Sequence, residues 1–209
     1  AIRPFAMTAE EAANAPAATK FTAKPVIKTD YKFSMAMSPA DCMGCTLCVK
    51  ACPVTAKAIK DGTDKKAIEM VPAATQADQQ APWNYAVENV SEKSELINTT
   101  VKGSQFKQPL LEFSGSCAGC AETSYARLIT QLFGERMYIS NATGCSSIWG
   151  GSAPATPYTV NKESGRGPAW ANSLFEDNAE HGLGMYIGQK AIRDKLIKYV
   201  REFRENMKC

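Results

Sequence analysis

The feature that most constrains this chain is a run of four cysteines in the stretch DCMGCTLCVKACP, residues 41–53. Two residues separate each of the first three cysteines, and the fourth follows after three more and directly precedes a proline. With this spacing, three thiolates from one turning loop can reach three corners of a [4Fe–4S] cube, while the displaced fourth ligates a neighbouring cluster. The run therefore predicts that Cys42, Cys45 and Cys48 bind one [4Fe–4S] cluster and that Cys52 binds a second.

A structural zinc site is the alternative interpretation of this run. Zinc sites use paired C-x2-C knuckles, and three cysteines at successive two-residue gaps before C-P fit that arrangement poorly. A two-cluster module needs a second run, and the 209 residues contain none. The segment AIRPF, residues 1–5, is similar to the strand that follows such a run. We therefore expect the partner run to precede residue 1 and the chain to be an interior piece of a longer polypeptide.

The eight cysteines are clustered along the chain. Disulfide frameworks are typical of small secreted proteins, whereas this chain is large and its N-terminus has neither the basic start nor the apolar run of a secretory signal. We therefore expect reduced, metal-binding thiols and a cytoplasmic location. The formal net charge of +3 gives no reason to expect nucleic-acid binding, and the lack of a bilayer-length apolar stretch predicts no membrane span.

The character of the sequence changes along the chain. Residues 1–34 show no sustained periodicity, and the polar, turn-rich stretch 61–108 indicates a connector. From Pro109 onward the pattern is typical of an α/β domain. A helix is predicted through residues 125–133 with Gly134 as its stop.

The helix is followed by a predicted short buried strand at RMYIS, residues 136–140, and a long glycine-rich loop, residues 141–158. This order presents a ligand-binding loop at the end of a sheet strand. A second helical region is predicted from Asn172, with interruptions at Gly182 and Gly184. One of its faces carries the apolar residues Ile192, Leu196, Val200 and Phe203.

A second group of cysteines lies in the α/β region. Cys117 and Cys120 form a C-x2-C pair in GSCAGCAET, and Cys145 follows 25 residues later in NATGCSS. Alone, a C-x2-C pair is compatible with a redox dithiol or a zinc knuckle. A third cysteine in a Gly/Ser loop after a predicted strand favours metal binding, with Cys145 as a small buried residue as the structural alternative.

The first cysteine run and two long stretches together resemble the pyruvate:ferredoxin (flavodoxin) oxidoreductase family. The stretches are FSGSCAGCAETSYARLITQLFG and MYISNATGCSSIWGGSAPATPYTVNKESGRGPAWANSLFEDNAEHGLGM. The family oxidatively decarboxylates pyruvate to acetyl-CoA on thiamine diphosphate and passes electrons through [4Fe–4S] clusters to ferredoxin or flavodoxin. The resemblance therefore implies an iron–sulfur oxidoreductase of anaerobic pyruvate metabolism, covering the sequence from its first residues to about residue 185.

The resemblance also implies a fold. We expect an α+β ferredoxin-like half-module followed by the first part of an α/β thiamine-diphosphate-binding domain. Residues 1–75 would form the partial two-cluster ferredoxin-like domain with an insertion, and residues 76–108 the connector. Residues 109–209 would form the N-terminal part of the cofactor domain.

Site residues follow from the resemblance, position by position. Cys117, Cys120 and Cys145 match three of the four ligands of the cluster nearest thiamine diphosphate. Glu122 matches a residue that contacts this cofactor, and Cys145 is similarly placed at the cofactor's edge. No role is expected for Cys209, which closes a charged tail, or for the sole histidine, His181.

Several parts that the family uses do not occur in this sequence. They include the segment that binds pyrophosphate and Mg²⁺, the activating glutamate and the pyruvate-binding residues, so no catalytic residue is assigned and the 209 residues alone are not expected to turn over. The implied partners are pyruvate, coenzyme A, ferredoxin or flavodoxin, the remainder of the same enzyme, and a second copy in a homodimer. The alternatives are a stand-alone iron–sulfur electron-transfer protein without catalysis and a zinc-stabilised interaction protein.

Overall fold

The computed structural model describes residues 1–151 and 156–207. These residues divide into two compact units. Unit 1 comprises Ala1–Gln108 together with Cys117–Gly119, and unit 2 comprises residues 109–116 and the described residues from Cys120 onward. Each unit contains a two-stranded sheet, so the described chain is a mixed α/β protein with small sheets.

Unit 1 is built on an antiparallel pair of strands, β1 (Ile2–Met7) and β2 (Lys32–Met37), which pair along their whole length. The strand expected at AIRPF is therefore present. In β2, Ser34 and Ala36 are buried while Met35 between them is exposed. This alternation is typical of a strand that lays one face on a core.

Five helices complete the regular structure described for unit 1. They are α1 (Ala9–Ala13), α2 (Leu47–Lys50), α3 (Pro53–Asp61), α4 (Gln80–Asn89) and α5 (Val101–Ser104), with 3-10 turns at Ala73–Gln79 and Ser94–Leu96. Helix α4 packs on the sheet, where the Trp83 and Phe5 rings meet edge to face with centroids 6.0 Å apart. The polar stretch 61–108 thus contributes Trp83 and Ala86 to the core of unit 1, because these two residues share one face of α4.

A buried ion pair ties α1 to a distant part of unit 1. Glu11 and Thr8 form a capping box at the start of α1, each side chain accepting a hydrogen bond from the other residue's backbone N–H. Both carboxylate oxygens of Glu11 also accept from Lys93 Nζ at 2.9 Å, and Ser91 donates its N–H and hydroxyl to one of them. Burial opposes ionisation of Glu11, but the Ser91 N–H, the Lys93 ammonium and the Thr8 N–H together lower its pKa to about 2.

Unit 2 is organised around a parallel pair of strands. Its elements are α6 (Ala121–Phe133), β3 (Tyr138–Asn141), α7 (Cys145–Gly151), β4 (Ala169–Asn172) and α8 (Asn178–Asn206), with a 3-10 turn at Gly134–Arg136. Strands β3 and β4 pair from Tyr138 opposite Ala169 to Asn141 opposite Asn172. Their carboxyl ends therefore lie side by side, and α/β proteins bind ligands at this edge of a parallel sheet.

Helix α6 confirms the helix predicted through residues 125–133, and it ends at Gly134 as expected. A Cβ at Gly134 would lie 2.7 Å from Leu110 Cδ1, so close packing there requires glycine. The strand predicted at residues 136–140 begins two residues later, as β3. Its residues are partly or fully exposed, so the expectation of a buried strand is wrong.

Two other expectations for unit 2 are also wrong. Residues 141–158 are not one long loop, because Cys145–Gly151 form α7, while residues 152–155 of that segment lie outside the described residues. Gly182 and Gly184 do not interrupt the second helical region, since α8 runs through both and begins at Asn178. Each glycine costs a helix interior only about 1 kcal/mol relative to alanine, which a long helix tolerates.

Two helices of unit 2 carry exposed apolar faces. In α8 no described residue is buried. The exposed apolar residues of α6 are Tyr125, Leu128, Ile129, Leu132 and Phe133, and those of the predicted face of α8 are Ile192, Leu196, Val200 and Phe203. Within the described ranges, no helix combines the length and the apolar character needed to cross a membrane.

Candidate iron–sulfur and cofactor site

The first cysteine run begins in an exposed loop after β2, continues through the short helix α2, which contains Cys48, and ends at the N-cap of α3. Cys42, Cys45 and Cys48 are exposed. Gly44, between the first two, has φ of 67°, and Thr46, between the second and third, has φ of 65°. Left-handed backbone at both gaps turns the chain repeatedly, which keeps the three thiols on one short loop.

Cys52 occupies a different environment from the other three cysteines. It is the N-cap of α3, with Pro53 as the first helical residue. The backbone N–H of Thr55 lowers the pKa of the Cys52 thiol, outweighing burial, and the N–H of Val54 adds to the effect. Because iron binds the thiolate, a helix N-terminus that favours the anion suits a cluster ligand.

A hydrogen-bonded anchor fixes the entrance to the cysteine run. Ser38, directly after β2, is fully buried, and its hydroxyl donates to Asp41 Oδ2 at 2.6 Å. The N–H of Ala40 donates to Gln80 Oε1 of α4 at 3.0 Å. The backbone immediately before Cys42 is thereby attached to the core of unit 1.

The second cysteine group begins at the start of α6. Cys117 is exposed, Gly119 has φ of 78°, and Cys120 is the partly buried N-cap of α6. The C-x2-C pair therefore contains a left-handed turn, as the gaps of the first run do. Glu122, two residues into α6, is exposed in the first turn of the helix, where a carboxylate is favoured.

Cys145 is exposed and is the first residue of α7, one helical turn before Trp149. The indole N–H of Trp149 donates to Glu122 Oε2 at 3.4 Å. Within unit 2 the structure therefore connects the helix that starts after Cys120 with the helix that starts at Cys145. Two sequence-predicted positions, Glu122 and Cys145, are joined through a residue that sequence reasoning did not assign.

Aromatic side chains pack around this contact. Trp149 is only 6% exposed, and its ring centroid lies 6.3 Å from that of Tyr158. Burial raises the pKa of the Tyr158 hydroxyl, and the negative charge of Glu122 raises it further. Glu122 thus contacts a buried aromatic side chain through Trp149 and is itself exposed to solvent.

The carboxyl ends of β3 and β4 carry a polar pair next to Cys145. Asn141 Nδ2 donates to Asn172 Oδ1 at 2.7 Å, and Asn172 Nδ2 donates to the Ser173 carbonyl at 2.6 Å. The Ser173 N–H donates to the Asn141 carbonyl at 2.8 Å, extending the strand ladder by one bond. Side-chain amides therefore fix the edge of the sheet from which the Cys145 segment departs.

The predicted ligands are not assembled into a closed metal site. Across residues 1–151 and 156–207, no group of three or more His, Cys, Asp or Glu side chains is close enough to hold a metal ion. All seven predicted cysteine ligands are free thiols. Iron ligation by Cys42, Cys45, Cys48, Cys52, Cys117, Cys120 and Cys145 stays a prediction from the sequence, as does the cofactor contact of Glu122.

Sequence reasoning missed the residues that hold the site in place. Ser38 and Gln80 anchor the first run, and Trp149 contacts Glu122. A polar residue just after a strand is a weak signal for such an anchor. No local pattern indicates that a tryptophan 27 positions away meets Glu122.

No family model matches the chain. Individual proteins do match over almost its whole length. Pyruvate-flavodoxin oxidoreductase of Enterobacter agglomerans is 52% identical over 207 residues, which are 99% of this chain and 17% of that protein. Pyruvate:ferredoxin oxidoreductase of Moorella thermoacetica is 50% identical over 200 residues, 94% of this chain and 16% of that protein.

A third relative carries a different name. Pyruvate dehydrogenase [NADP(+)] of Cryptosporidium parvum is 47% identical over 205 residues, 96% of this chain and 10% of that protein. The chain thus spans about a sixth or less of the length of these relatives. The family predicted from the sequence is confirmed: the chain belongs to the pyruvate-flavodoxin and pyruvate:ferredoxin oxidoreductases, as a segment homologous to a small part of these long enzymes.

Proposed function

We propose that the chain supplies cluster-binding and cofactor-contacting residues to an enzyme that decarboxylates pyruvate oxidatively to acetyl-CoA and passes the electrons through [4Fe–4S] clusters to ferredoxin or flavodoxin. The observation that carries this proposal is the contact between Trp149 and Glu122, because it connects the helices that follow Cys120 and Cys145. The relatives' names agree on pyruvate and differ in the electron acceptor, which supports pyruvate as the substrate.

The residues of the first run fit a [4Fe–4S] cluster by their donor chemistry. Cysteine thiolates are the usual ligands of these clusters, and Cys42, Cys45 and Cys48 are free and exposed on one loop. Cys52, with its lowered pKa, provides a thiolate for a neighbouring cluster. The cluster ligands that this chain lacks come from the remainder of the same enzyme.

The residues of unit 2 fit the edge of a thiamine diphosphate site. When bound, thiamine diphosphate supplies the carbanion chemistry that decarboxylates a 2-oxo acid. Glu122 would present a carboxylate to it from the start of α6. Cys120 and Cys145 of unit 2, with Cys117 of unit 1, would hold the adjacent cluster. A cluster ligand at the cofactor's edge keeps the electron path short. Mg²⁺ and the pyrophosphate are held by other segments of the enzyme.

The same proposal assigns the domains. Residues 1–75 form part of a two-cluster ferredoxin-like domain, residues 76–108 a connector that packs on its sheet through α4, and residues 109–209 the first part of the thiamine-diphosphate domain. The antiparallel β1–β2 pair with α3 after the cysteine run supports the first assignment. The parallel β3–β4 pair with its polar carboxyl edge supports the last.

We assign the remaining partners on the same basis. The exposed apolar faces of α6 and α8 need cover, and the remainder of the enzyme, in a homodimer, provides it. Coenzyme A accepts the acetyl group. The free, clustered thiols favour a cytoplasmic, anaerobic setting, because oxidising compartments convert such thiols to disulfides.

The test uses the native polypeptide that carries this sequence, purified without oxygen. We expect iron, acid-labile sulfide and bound thiamine diphosphate, with pyruvate-dependent reduction of a viologen dye. Cys145→Ser should lose about four iron atoms per polypeptide and most of the dye reduction, because its cluster cannot form. Cys209→Ser is the matched control and should keep both.

Other compositions would contradict the proposal. Zinc in place of iron would favour an interaction protein. Iron and sulfide without thiamine diphosphate binding would favour a stand-alone electron carrier. A Cys145→Ser variant with full iron content would remove Cys145 from the ligand set.

A further inference from the structure

We infer that Trp149 is a positioning residue for Glu122: its buried indole N–H fixes the Glu122 carboxylate in the orientation that meets thiamine diphosphate. The inference rests on the proposed function. It rests structurally on the 3.4 Å contact between Trp149 Nε1 and Glu122 Oε2. Trp149 itself does not act on the substrate, because its effect passes through the carboxylate of Glu122.

The indole is a suitable positioning group because it is rigid. Trp149 is 6% exposed, and the backbone beside it is closely packed, since a Cβ at Gly151 would collide with the Trp170 ring and one at Gly150 would touch Tyr158. Tyr158 in turn forms a bridge with Leu111, one of the least exposed residues of unit 2. The ring of Trp149 is therefore held from several sides while Glu122 stays exposed.

The hydrogen bond is directional because of the chemistry of its two partners. The indole nitrogen only donates, so it selects an acceptor, and the carboxylate provides two oxygens that only accept. With Oε2 bound to Trp149, the plane of the carboxylate is restricted. A buried donor without an acceptor is unfavourable, so the pair holds one rotamer of Glu122 against solvent competition.

The contact also links Glu122 to Cys145. Cys145 and Trp149 are four residues apart in α7 and therefore lie on the same face of the helix. Fixing Trp149 against α6 thus fixes the start of α7, where Cys145 lies. The contact therefore joins the helix that carries a proposed cofactor contact to the helix that carries a proposed cluster ligand.

The experiment measures thiamine diphosphate binding to the anaerobically purified native polypeptide by equilibrium dialysis in the presence of Mg²⁺. Trp149→Phe keeps an aromatic ring and loses the N–H. We expect its Kd for thiamine diphosphate to rise about ten- to a hundredfold, the effect of one lost hydrogen bond to a charged group. Iron content should stay at the wild-type value. Tyr186→Phe, on the exposed helix α8, likewise keeps a ring and loses a polar hydrogen; it is the matched control and should bind as the wild type does.

A double-mutant cycle separates positioning from a merely structural role. In the Glu122→Ala background, Trp149→Phe should have no further effect on the Kd, because the carboxylate through which the indole acts is gone. An equal rise in Kd in both backgrounds would overturn the inference, as would wild-type affinity in Trp149→Phe itself. If the wild-type polypeptide does not bind thiamine diphosphate at all, the proposed function fails, and the inference fails with it.

Discussion

The two units bury their apolar side chains to very different extents. In unit 1 the buried apolar residues include Phe5, Ala6, Met7, Ala36, Trp83 and Ala86, and in unit 2 they are Leu110, Leu111 and Trp149. Both units have comparable lengths of chain, but α6 and α8 leave their apolar faces exposed. Unit 1 therefore carries its own core, whereas unit 2 leaves the apolar faces of two helices exposed.

The two cysteine groups also differ, in whether their residues are close in sequence or are connected by contacts between distant residues. In unit 1, four predicted ligands lie within one run of the sequence, although in the described structure no three of them are close enough to hold a metal ion. In unit 2, Cys120 and Cys145 lie on two helices that are connected through Glu122 and Trp149. Residue spacing can predict a site whose ligands lie within one short run, but it cannot predict a site formed by contacts between distant residues.

Cys45→Ser is the variant with the largest expected effect on this comparison. It removes a central ligand of the first run, so we expect a loss of about four iron atoms and of electron transfer to ferredoxin. Thiamine diphosphate binding should remain, since Cys45 belongs to unit 1 and Glu122 to unit 2. Iron analysis checks the loss of the cluster, and equilibrium dialysis checks that thiamine diphosphate still binds. Loss of thiamine diphosphate binding would show that the two cysteine groups do not act separately.

Lys93→Met should destabilise unit 1 by about 3 kcal/mol, because it leaves the carboxylate of Glu11 buried without its counter-ion. The side chains of Lys93 and Glu11 are only 7% and 15% exposed. Hydrogen exchange of unit 1 amides measures the change. Lys107→Met, which breaks the more exposed pair with Glu92, is the control and should cost less than about 1 kcal/mol. Equal losses of stability in the two variants would show that the buried pair stabilises unit 1 no more than the exposed pair does.

The smallest expected effect is a dependence of unit 1 on pH. The folded-state pKa of Glu11 is about 2, below its ordinary value of 4.5, so its stabilisation is complete above pH 4.5 and declines as the pH falls toward 2. The Tyr31 hydroxyl lowers the pKa of Glu95, which acts in the same direction. Protection of unit 1 amides should fall as the pH is lowered from about 4.5 to about 2, and Glu11→Gln should weaken this dependence. If amide protection in Glu11→Gln depended on pH as it does in the wild type, Glu11 would not be the group that causes the dependence.

Much of the secondary structure was predictable from the sequence, and the exceptions have physical causes. The periodicity of α6 and the stop at Gly134 were clear because helix spacing and glycine are local signals. Helix α7 was missed because Gly150 and Gly151 resemble a loop, whereas they serve close packing against Tyr158 and Trp170. Trp83 was missed because it lies in a stretch that is otherwise polar.

The candidate site likewise contains residues that the sequence identified and residues that it did not. Spacing and resemblance identified the seven cysteines and Glu122. The partners that hold them, Ser38, Gln80 and Trp149, are set by contacts between residues far apart in sequence. In a single sequence these partners look like any other polar or aromatic residues, so their contacts cannot be recognised.

The bond between Lys93 and Glu11 spans 82 positions of the chain, and this separation has a consequence for the order of folding. During synthesis, the Glu11 carboxylate at the start of α1 has no counter-ion until Lys93 has left the ribosome, when most of unit 1 has already been made. Closing so long a loop costs entropy before any contact rewards it. The nascent chain can therefore pair β1 with β2 before Lys93 is made, whereas α1 stays without this ion pair until then.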